Sequence, residues 1–169
     1  SYFTNKNKGN LWRIYSRIEY HVSFGLIVSR VNKDLINIAI NNFPDALFIY
    51  RPILISRRTI NKIKSKCPNT IISAYNNDDP FSSRYNWQYW FRFRRAIASY
   101  DVIFSYRPAN IDNYKQLGAK AVELLPPWFI KSKNYPIKLD PDESPKYKSD
   151  IVFIGHYEND HRVDIISQL

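Results

Sequence analysis

The residues with the clearest chemical potential lie in segment 75–80 (YNNDDP), directly after the apolar run 70–74. Two adjacent carboxylates, Asp78 and Asp79, precede Pro80 there. A carboxylate pair in a loop can orient a sugar hydroxyl, act as a general base or bind a basic group. The same side chains can instead cap the turn by accepting backbone N–H groups. Both interpretations stay open, and Asp78 and Asp79 are candidate catalytic residues.

A second candidate site begins at Gly155, where an apolar run ends in Gly155-His156-Tyr157 and Arg162 follows. A strand that ends in glycine and turns into a helix lets backbone N–H groups and the helix dipole hold phosphate oxygens. Arg162 can add a bidentate contact to the same phosphate. A single glycine is a weak signal, because phosphate-binding loops usually carry several at fixed spacing, and His156 fits an ordinary surface position equally well.

Residues 84–95 (RYNWQYWFRFRR) combine six aromatic side chains with four arginines. Rings interleaved with basic groups are typical of proteins that bind single-stranded nucleic acid, because bases stack on the rings and arginines neutralise phosphates. At helical spacing, however, Trp90, Phe93, Arg94 and Ile97 fall along one face. The pattern therefore favours a core helix whose rings pack against a sheet, with its other arginines solvated.

Metal-binding patterns are weak, and no metal is expected. Asp140-Pro141-Asp142 matches the DxD pattern with which some sugar-nucleotide enzymes hold a divalent cation, but its neighbouring prolines and its place in an extended connection favour coincidence. The three histidines, His21, His156 and His161, show no ligand spacing with Cys67 or with a carboxylate cluster. The sequence also lacks a P-loop and a nucleophile elbow.

The elements that must position these residues follow from the hydrophobic pattern. Apolar positions recur at helical spacing over 11–22 and 26–43, which predicts two N-terminal helices. After Pro44, short β-branched and aromatic runs alternate with amphipathic segments, and the first run is expected to be a buried strand. The predicted strands are 46–50, 70–74, 101–105, 120–125 and 150–154, with an extended, proline-rich connection over 126–149.

This alternation of strands and helices indicates βαβ units. It predicts an α/β domain with a Rossmann-like parallel sheet flanked by helices on both faces. Ligands of such folds lie beyond the carboxyl ends of the strands. The loops expected to meet along that edge are 50–52, 75–81, 106–108, 126–128 and 155–157.

Composition and charge narrow the class of protein. The 169 residues include 25 Lys and Arg against 15 Asp and Glu, and the net charge of +10 favours a nucleic acid, an acidic membrane surface or a phosphorylated small molecule as partner. The single Cys67 forms no internal disulfide, and no apolar run approaches the roughly 20 residues of a membrane span. We expect a cytoplasmic protein, with peripheral contact to an anionic membrane as a compatible alternative. Because Met is absent and the last helical pattern continues to Leu169, we expect part of a longer chain.

Several segments together resemble the CgeB-like glycosyltransferases, a family associated with the GT-B fold. The resemblance covers roughly residues 8–169 and includes, in order, PDALFIY, ISAYNNDDPFS, AIASYDVIFSYRPANIDNYKQLGAKAVELLP and DIVFIGHYENDHR. Its most specific parts are the DDP loop at 78–80, the YD pair at 100–101, the turn at 117–119 and the FIG ending at 153–155.

The resemblance implies a two-domain enzyme that moves a sugar from a nucleotide-sugar donor to a glycan, lipid-linked or protein acceptor, with no obligatory metal and no cofactor. Residues 1–148 would be the acceptor-side domain, without the family's usual first strand, and 149–169 would begin the donor-binding domain. Such a fragment alone would be a poor catalyst. The implied cleft residues are Asp78, Asp79, Tyr106 and Arg107, with Gly155 and Arg162 on the donor-phosphate side.

The same resemblance assigns chemical roles. Arg107 and Arg162 would stabilise the charge that builds on the departing nucleoside diphosphate. If transfer inverts the anomeric centre, Asp78, Asp79 or His156 would take the acceptor proton.

Two other classes of protein compete with the glycosyltransferase hypothesis. One is a basic module that binds single-stranded nucleic acid, although nucleic acid is the less expected partner. The other is a non-catalytic coat or envelope protein that binds glycans.

Overall fold

The computed structural model describes residues 9–83, 87–142, 144–152 and 161–168. The chain divides into two units, residues 1–128 and 129–169. The elements of the first unit are α1 (Asn10–Val22), α2 (Leu26–Asn42), β1 (Ala46–Tyr50), α3 (Arg57–Lys66), β2 (Ile71–Asn76), α4 (Trp87–Ala96), β3 (Val102–Ser105), α5 (Ile111–Gln116) and β4 (Val122–Leu124). The second unit contains the short helices α6 (Ser144–Tyr147) and α7 (His161–Ile166).

The four strands of the first unit form one all-parallel sheet in the order β1-β2-β3-β4. The predicted fold class is therefore confirmed: the chain is α/β, with a Rossmann-like parallel sheet flanked by helices and preceded by two helices. The predicted boundary between residues 148 and 149 stays a prediction. Among the described residues, none of the helices has both the length and the hydrophobicity of a transmembrane span.

The described helices of the first unit pack against one face of the sheet. Right-handed crossovers are the rule for parallel strands, so a sheet that adds every strand on the same side carries its connecting helices on a single face. The core cluster agrees, since it joins side chains of that face with side chains of the helices: Leu47, Ile49, Ile72, Ala74 and Ile103 from the sheet, and Ile60, Ile63, Trp90 and Phe93 from α3 and α4.

The opposite face is open along β1, where Phe48 and Tyr50 are each 51% exposed. The expectation that β1 is buried is therefore wrong. Helices on both faces were also expected, but the described helices of the first unit lie on one face only. The physical reason is the strand order, because only a reversal of direction in the sheet sends later crossovers to the other side.

Two expectations about the second unit have a different outcome. Residues 150–152 are not in a strand, and the rest of the predicted fifth strand, 153–154, lies outside the described residues. The connection over 126–149 is largely irregular as predicted, but it contains α6, which was not predicted. Pro145 falls in the first turn of that helix, where its missing N–H costs no hydrogen bond.

A buried carboxylate joins α1 to α2. Glu19 is only 3% exposed, and it accepts the backbone N–H groups of Leu26, Ile27 and Val28 at 2.8, 2.8 and 3.1 Å. It thus satisfies three of the free donors at the start of α2 and places a negative group at the positive end of that helix. Gly25 makes the approach possible: at φ +135°, a Cβ there would lie 2.1 Å from Glu19 Cδ.

Asn32 connects α2 to the segment between β1 and α3. Its amide nitrogen donates to the carbonyl oxygens of Val28 and Leu54 at 2.7 and 2.9 Å. Its amide oxygen accepts from the Ser56 N–H at 2.9 Å and from the Thr59 hydroxyl at 2.6 Å. Ser56 is the N-cap of α3 and accepts the Thr59 N–H at 3.1 Å. One buried side chain with all four bonds made therefore positions α3 against α2.

Asn32→Ala is expected to lower the free energy of unfolding by about 2–4 kcal/mol, because it leaves buried partners without hydrogen bonds. Urea unfolding followed by circular dichroism measures the change. Asn37→Ala on the exposed side of α2 is the control and should stay within about 0.5 kcal/mol of the original chain. A similarly small loss for Asn32→Ala would contradict the conclusion that the hydrogen bonds of Asn32 stabilise the packing of α3 against α2.

Asp101 organises the amino edge of the sheet, opposite to the edge where ligands are expected. Both oxygens of its carboxylate lie 2.5 Å from Lys64 Nζ, and one lies 3.3 Å from Lys120 Nζ. Asp101 also accepts the Ile72 N–H at 2.9 Å. Burial raises the pKa of Asp101, but the bonds from Ile72, Lys64 and Lys120 lower it more, so the net pKa is below the ordinary value.

Asp101→Asn keeps an oxygen for the Ile72 N–H but removes the charge, so at neutral pH we expect a loss of about 1–2 kcal/mol of unfolding free energy. A carboxyl group whose pKa is lower in the folded than in the unfolded chain stabilises the fold when the pH is above its unfolded pKa. This stabilisation is lost as the pH falls through the pKa of the folded state. The difference between the two chains should therefore shrink below about pH 4. Denaturant titrations between pH 7 and 3 check this, with Asp112→Asn on the solvated side of α5 as control. A difference that stays constant across that range would exclude the ionic role.

Candidate functional site

The carboxyl edge of the sheet brings three of the predicted loops together. In the strand register Tyr50 lies opposite Tyr75, and Asn76 lies opposite Ser105. The segments that follow β1, β2 and β3 therefore leave the sheet side by side. Among the predicted site residues, Asp78 and Asp79 leave from β2, and Tyr106 and Arg107 leave from the neighbouring strand β3.

Asp78 forms an ion pair with Arg51, a residue that sequence reasoning did not single out. Arg51 Nη2 lies 2.5 Å from Asp78 Oδ2, and the Arg51 N–H donates to the carbonyl oxygen of Tyr75 at 2.9 Å. Burial lowers the pKa of the Arg51 guanidinium, the charge of Asp78 raises it, and the net pKa lies above the ordinary value. One role considered for Asp78 was the binding of a basic group, and Arg51 of the same chain is such a group. A basic residue directly after a predicted strand, inside the expected loop 50–52, was the available signal.

Asp79 has a capping role through one of its oxygens. Its Oδ1 accepts the Phe81 N–H at 2.9 Å and the side-chain amide of Asn110 at 3.1 Å. The turn-capping interpretation is therefore confirmed for this oxygen. Its other oxygen, Oδ2, makes no hydrogen bond within the described ranges. Asn110 is 4% exposed and lies in the 3-10 turn Pro108–Asn110, so a residue from after β3 holds the loop after β2.

Aromatic rings cover the open face of the sheet next to these carboxylates. The buried ring of Tyr75 stacks with Phe48 and Tyr50, at centroid distances of 6.2 and 5.9 Å, and the Trp128 ring lies 5.4 Å away. Phe48 and Tyr50 are each 51% exposed and Trp128 is 61% exposed. We call Phe48, Tyr50, Tyr75 and Trp128 the aromatic platform. The sequence reasoning missed it, although the alternation of rings in β1 was a signal.

Polar atoms border the platform. The Tyr50 hydroxyl donates to the side-chain oxygen of Asn77 at 3.3 Å, and Asn77 directly precedes Asp78. The β3 side contributes Tyr106, which is half-buried, and Arg107, which is exposed with its guanidinium 5.7 Å from the Tyr106 ring centroid. The edge therefore combines exposed ring faces with carboxylates, an amide and two guanidinium groups.

The other three predicted site residues belong to the second unit. Gly155 and His156 lie outside the described residues. Arg162 belongs to α7, but its side chain is outside the described part of the chain. Among the described residues no group of three His, Cys, Asp or Glu side chains is arranged to hold a metal ion.

Comparison of the chain with protein-family models, with curated proteins and with solved structures finds no match. The resemblance to CgeB-like glycosyltransferases therefore stays a prediction.

A double-mutant cycle with Arg51→Gln and Asp78→Asn should give a coupling energy of about 1 kcal/mol in low salt. The coupling should decrease in roughly 0.5 M NaCl, because salt screens a partly exposed ion pair. The control cycle is Arg30 with Asp34, an i,i+4 pair 4.0 Å apart. Its coupling should be about 0.3–0.5 kcal/mol. Equal coupling in the two cycles would mean that the pair does not order the Asp78 loop.

Proposed function

We propose that the chain is part of a metal-independent glycosyltransferase that transfers a sugar from a nucleotide-sugar donor to an acceptor. In this proposal the first unit receives the acceptor at the carboxyl edge of its sheet. The observation that carries the proposal is the aromatic platform beside the paired Arg51 and Asp78 and the partly free Asp79.

This combination suits a carbohydrate acceptor. A pyranose ring has C–H-rich faces that pack well on an aromatic ring, while its hydroxyls need polar partners at the rim. Tyr50 and Trp128 present exposed rings, and Asn77, Asp78 and Arg51 supply acceptors and donors beside them. An exposed apolar surface framed by polar groups is also what binding sites show, whereas an ordinary solvent face of a sheet is polar.

Asp79 is the preferred general base of the two carboxylates. Asn110 and the Phe81 N–H hold its Oδ1, which fixes the orientation of the side chain and leaves Oδ2 available for the proton of an acceptor hydroxyl. Asp78 is held by Arg51 and is better suited to orienting the acceptor. Arg107, exposed at the same edge, is positioned in this scheme to stabilise negative charge on the leaving nucleoside diphosphate. His156 remains an alternative base.

In the full-length protein, Asp79→Asn is expected to lower kcat by about 10²–10⁴-fold with a small change in KM, because it removes proton transfer and keeps the side chain's shape. The measurement is release of nucleoside diphosphate from a panel of nucleotide sugars in the presence of candidate acceptors. Asp112→Asn, an exposed carboxylate on α5, is the matched control and should retain full activity.

Two results would count against the transferase. No nucleoside diphosphate released from any donor, together with no binding of nucleoside diphosphates in calorimetry, would exclude the reaction. Glycan binding without turnover, lost on Trp128→Ala, would instead support the non-catalytic glycan-binding protein. Full activity of Asp79→Asn would remove this residue as the base and leave the reaction class intact.

A further inference from the structure

A cavity of about 410 Å³ lies on the helical side of the first unit, among residues that the carboxyl edge does not use. Its walls include Arg57 of α3, Trp87, Phe91, Arg94 and Arg95 of α4, and Leu117 just after α5. We call it the arginine cleft. Its volume lies within the range of about 300–1,000 Å³ that is usual for small-molecule sites.

The charge around the cleft is of one sign. Helix α3 contains five Lys and Arg residues and α4 contains three, and neither helix contains Asp or Glu. Two of these cations have partners elsewhere: Lys64 binds Asp101, and Arg92 donates to the carbonyl oxygen of Ser23. None of the ion pairs among the described residues includes Arg57, Arg94 or Arg95.

Three unneutralised guanidinium groups around one cavity repel each other, and an anion between them would relieve that repulsion. Guanidinium groups suit phosphate in particular, because their parallel N–H donors match two phosphate oxygens. The sequence pattern placed Arg94 on the buried face of α4, but the structure leaves it exposed, with its guanidinium 5.5 Å from the Phe81 ring centroid. A long arginine side chain can pack its stem on apolar surface and keep its charge in water.

The aromatic part of the cleft offers one largely exposed ring. Trp90 and Phe93 are buried in the core as predicted, but Trp87 is 64% exposed. Phe91 and Trp87 make an edge-to-face contact at a centroid distance of 5.4 Å and an angle of 84°. Arg95 also lies over the Phe91 ring at 5.3 Å, whereas most of the Trp87 surface faces solvent. Trp87 can therefore stack one planar group at the mouth of the cleft.

We infer that the arginine cleft binds a nucleotide-sized ligand, a planar ring stacked on Trp87 with its phosphate held by Arg57, Arg94 and Arg95. The concave shape favours such a ligand over a membrane, because a flat bilayer surface does not enter a cavity. The same chemistry is offered by a free nucleotide and by one nucleotide of a single strand. This inference does not depend on the proposed transferase activity, because no residue of the cleft belongs to the carboxyl edge.

Calorimetry with the full chain tests the inference, with AMP, inorganic phosphate and an oligothymidylate of about ten nucleotides as probes. We expect AMP to bind more tightly than phosphate. Arg94→Gln with Arg95→Gln should weaken AMP binding by about tenfold or more through loss of charged hydrogen bonds. Trp87→Leu should weaken it by about fivefold or more through loss of stacking. The charge-matched control, Arg13→Gln with Arg17→Gln on α1, should leave the affinity unchanged, and circular dichroism should show that all variants stay folded.

The probes also identify the source of the ligand. Oligothymidylate binding that is much tighter than AMP binding, steeply salt-dependent and lost in the cleft variants supports a single strand. Comparable affinities for the two support a free nucleotide. The inference is overturned if neither AMP nor oligothymidylate binds, or if phosphate binds as tightly as AMP. It is also overturned if the control variant loses as much affinity as the cleft variants. Binding to anionic vesicles alone, without AMP binding, overturns it as well.

Discussion

The four hydrogen bonds of Asn32 are the constraint on which the site depends most. They tie α2 to the carbonyl of Leu54 and to the first turn of α3, so the segment that leaves β1 has a fixed path. Arg51 lies in that segment, and its position decides whether Asp78 has a partner. A buried amide with every donor and acceptor used tolerates few alternative arrangements, because any shift leaves a buried polar group unsatisfied.

The one-sided packing of the sheet separates two surfaces with different chemistry. On the helical side, apolar residues of alternate strand positions meet α3 and α4, and the outer surface of these helices is basic. On the other side, the aromatic platform stays accessible because no described helix of the first unit covers it. The strand order thus leaves aromatic rings exposed beside the polar loops of the carboxyl edge, and the arginine cleft lies elsewhere on the unit.

Residues of one chemical type have different roles according to where the fold places them. Asp101 is held at the amino edge by two lysines and a backbone N–H, which is a structural role. Asp79 also has one oxygen in a structural role, but it lies at the carboxyl edge and its second oxygen makes no bond within the described ranges. Among the arginines, Arg51 faces a carboxylate, whereas Arg94 and Arg95 face a cavity without one. The partner, and not the residue type, decides the role.

Periodicity in the sequence determined the secondary structure of the first unit and its parallel α/β class. The run ALFIY coincides with β1, and helices were expected over 26–43 and after the first strand, where α2 and α3 lie. These predictions succeed because the spacing of apolar residues and the turn residues act locally. The same reasoning placed Asp78 and Asp79 after β2, since an adjacent pair of carboxylates is visible without a fold.

Only the tertiary structure decided which residues meet. Arg51 and Asp78 are 27 positions apart, Asp79 and Asn110 are 31 apart, and the Tyr75 and Trp128 rings meet although 53 positions separate them. No local pattern encodes such pairs, because they depend on strand register and on which face each crossover covers. The open face of β1 has the same origin: ALFIY has the composition of a buried strand, and its exposure follows from the strand order of the whole sheet.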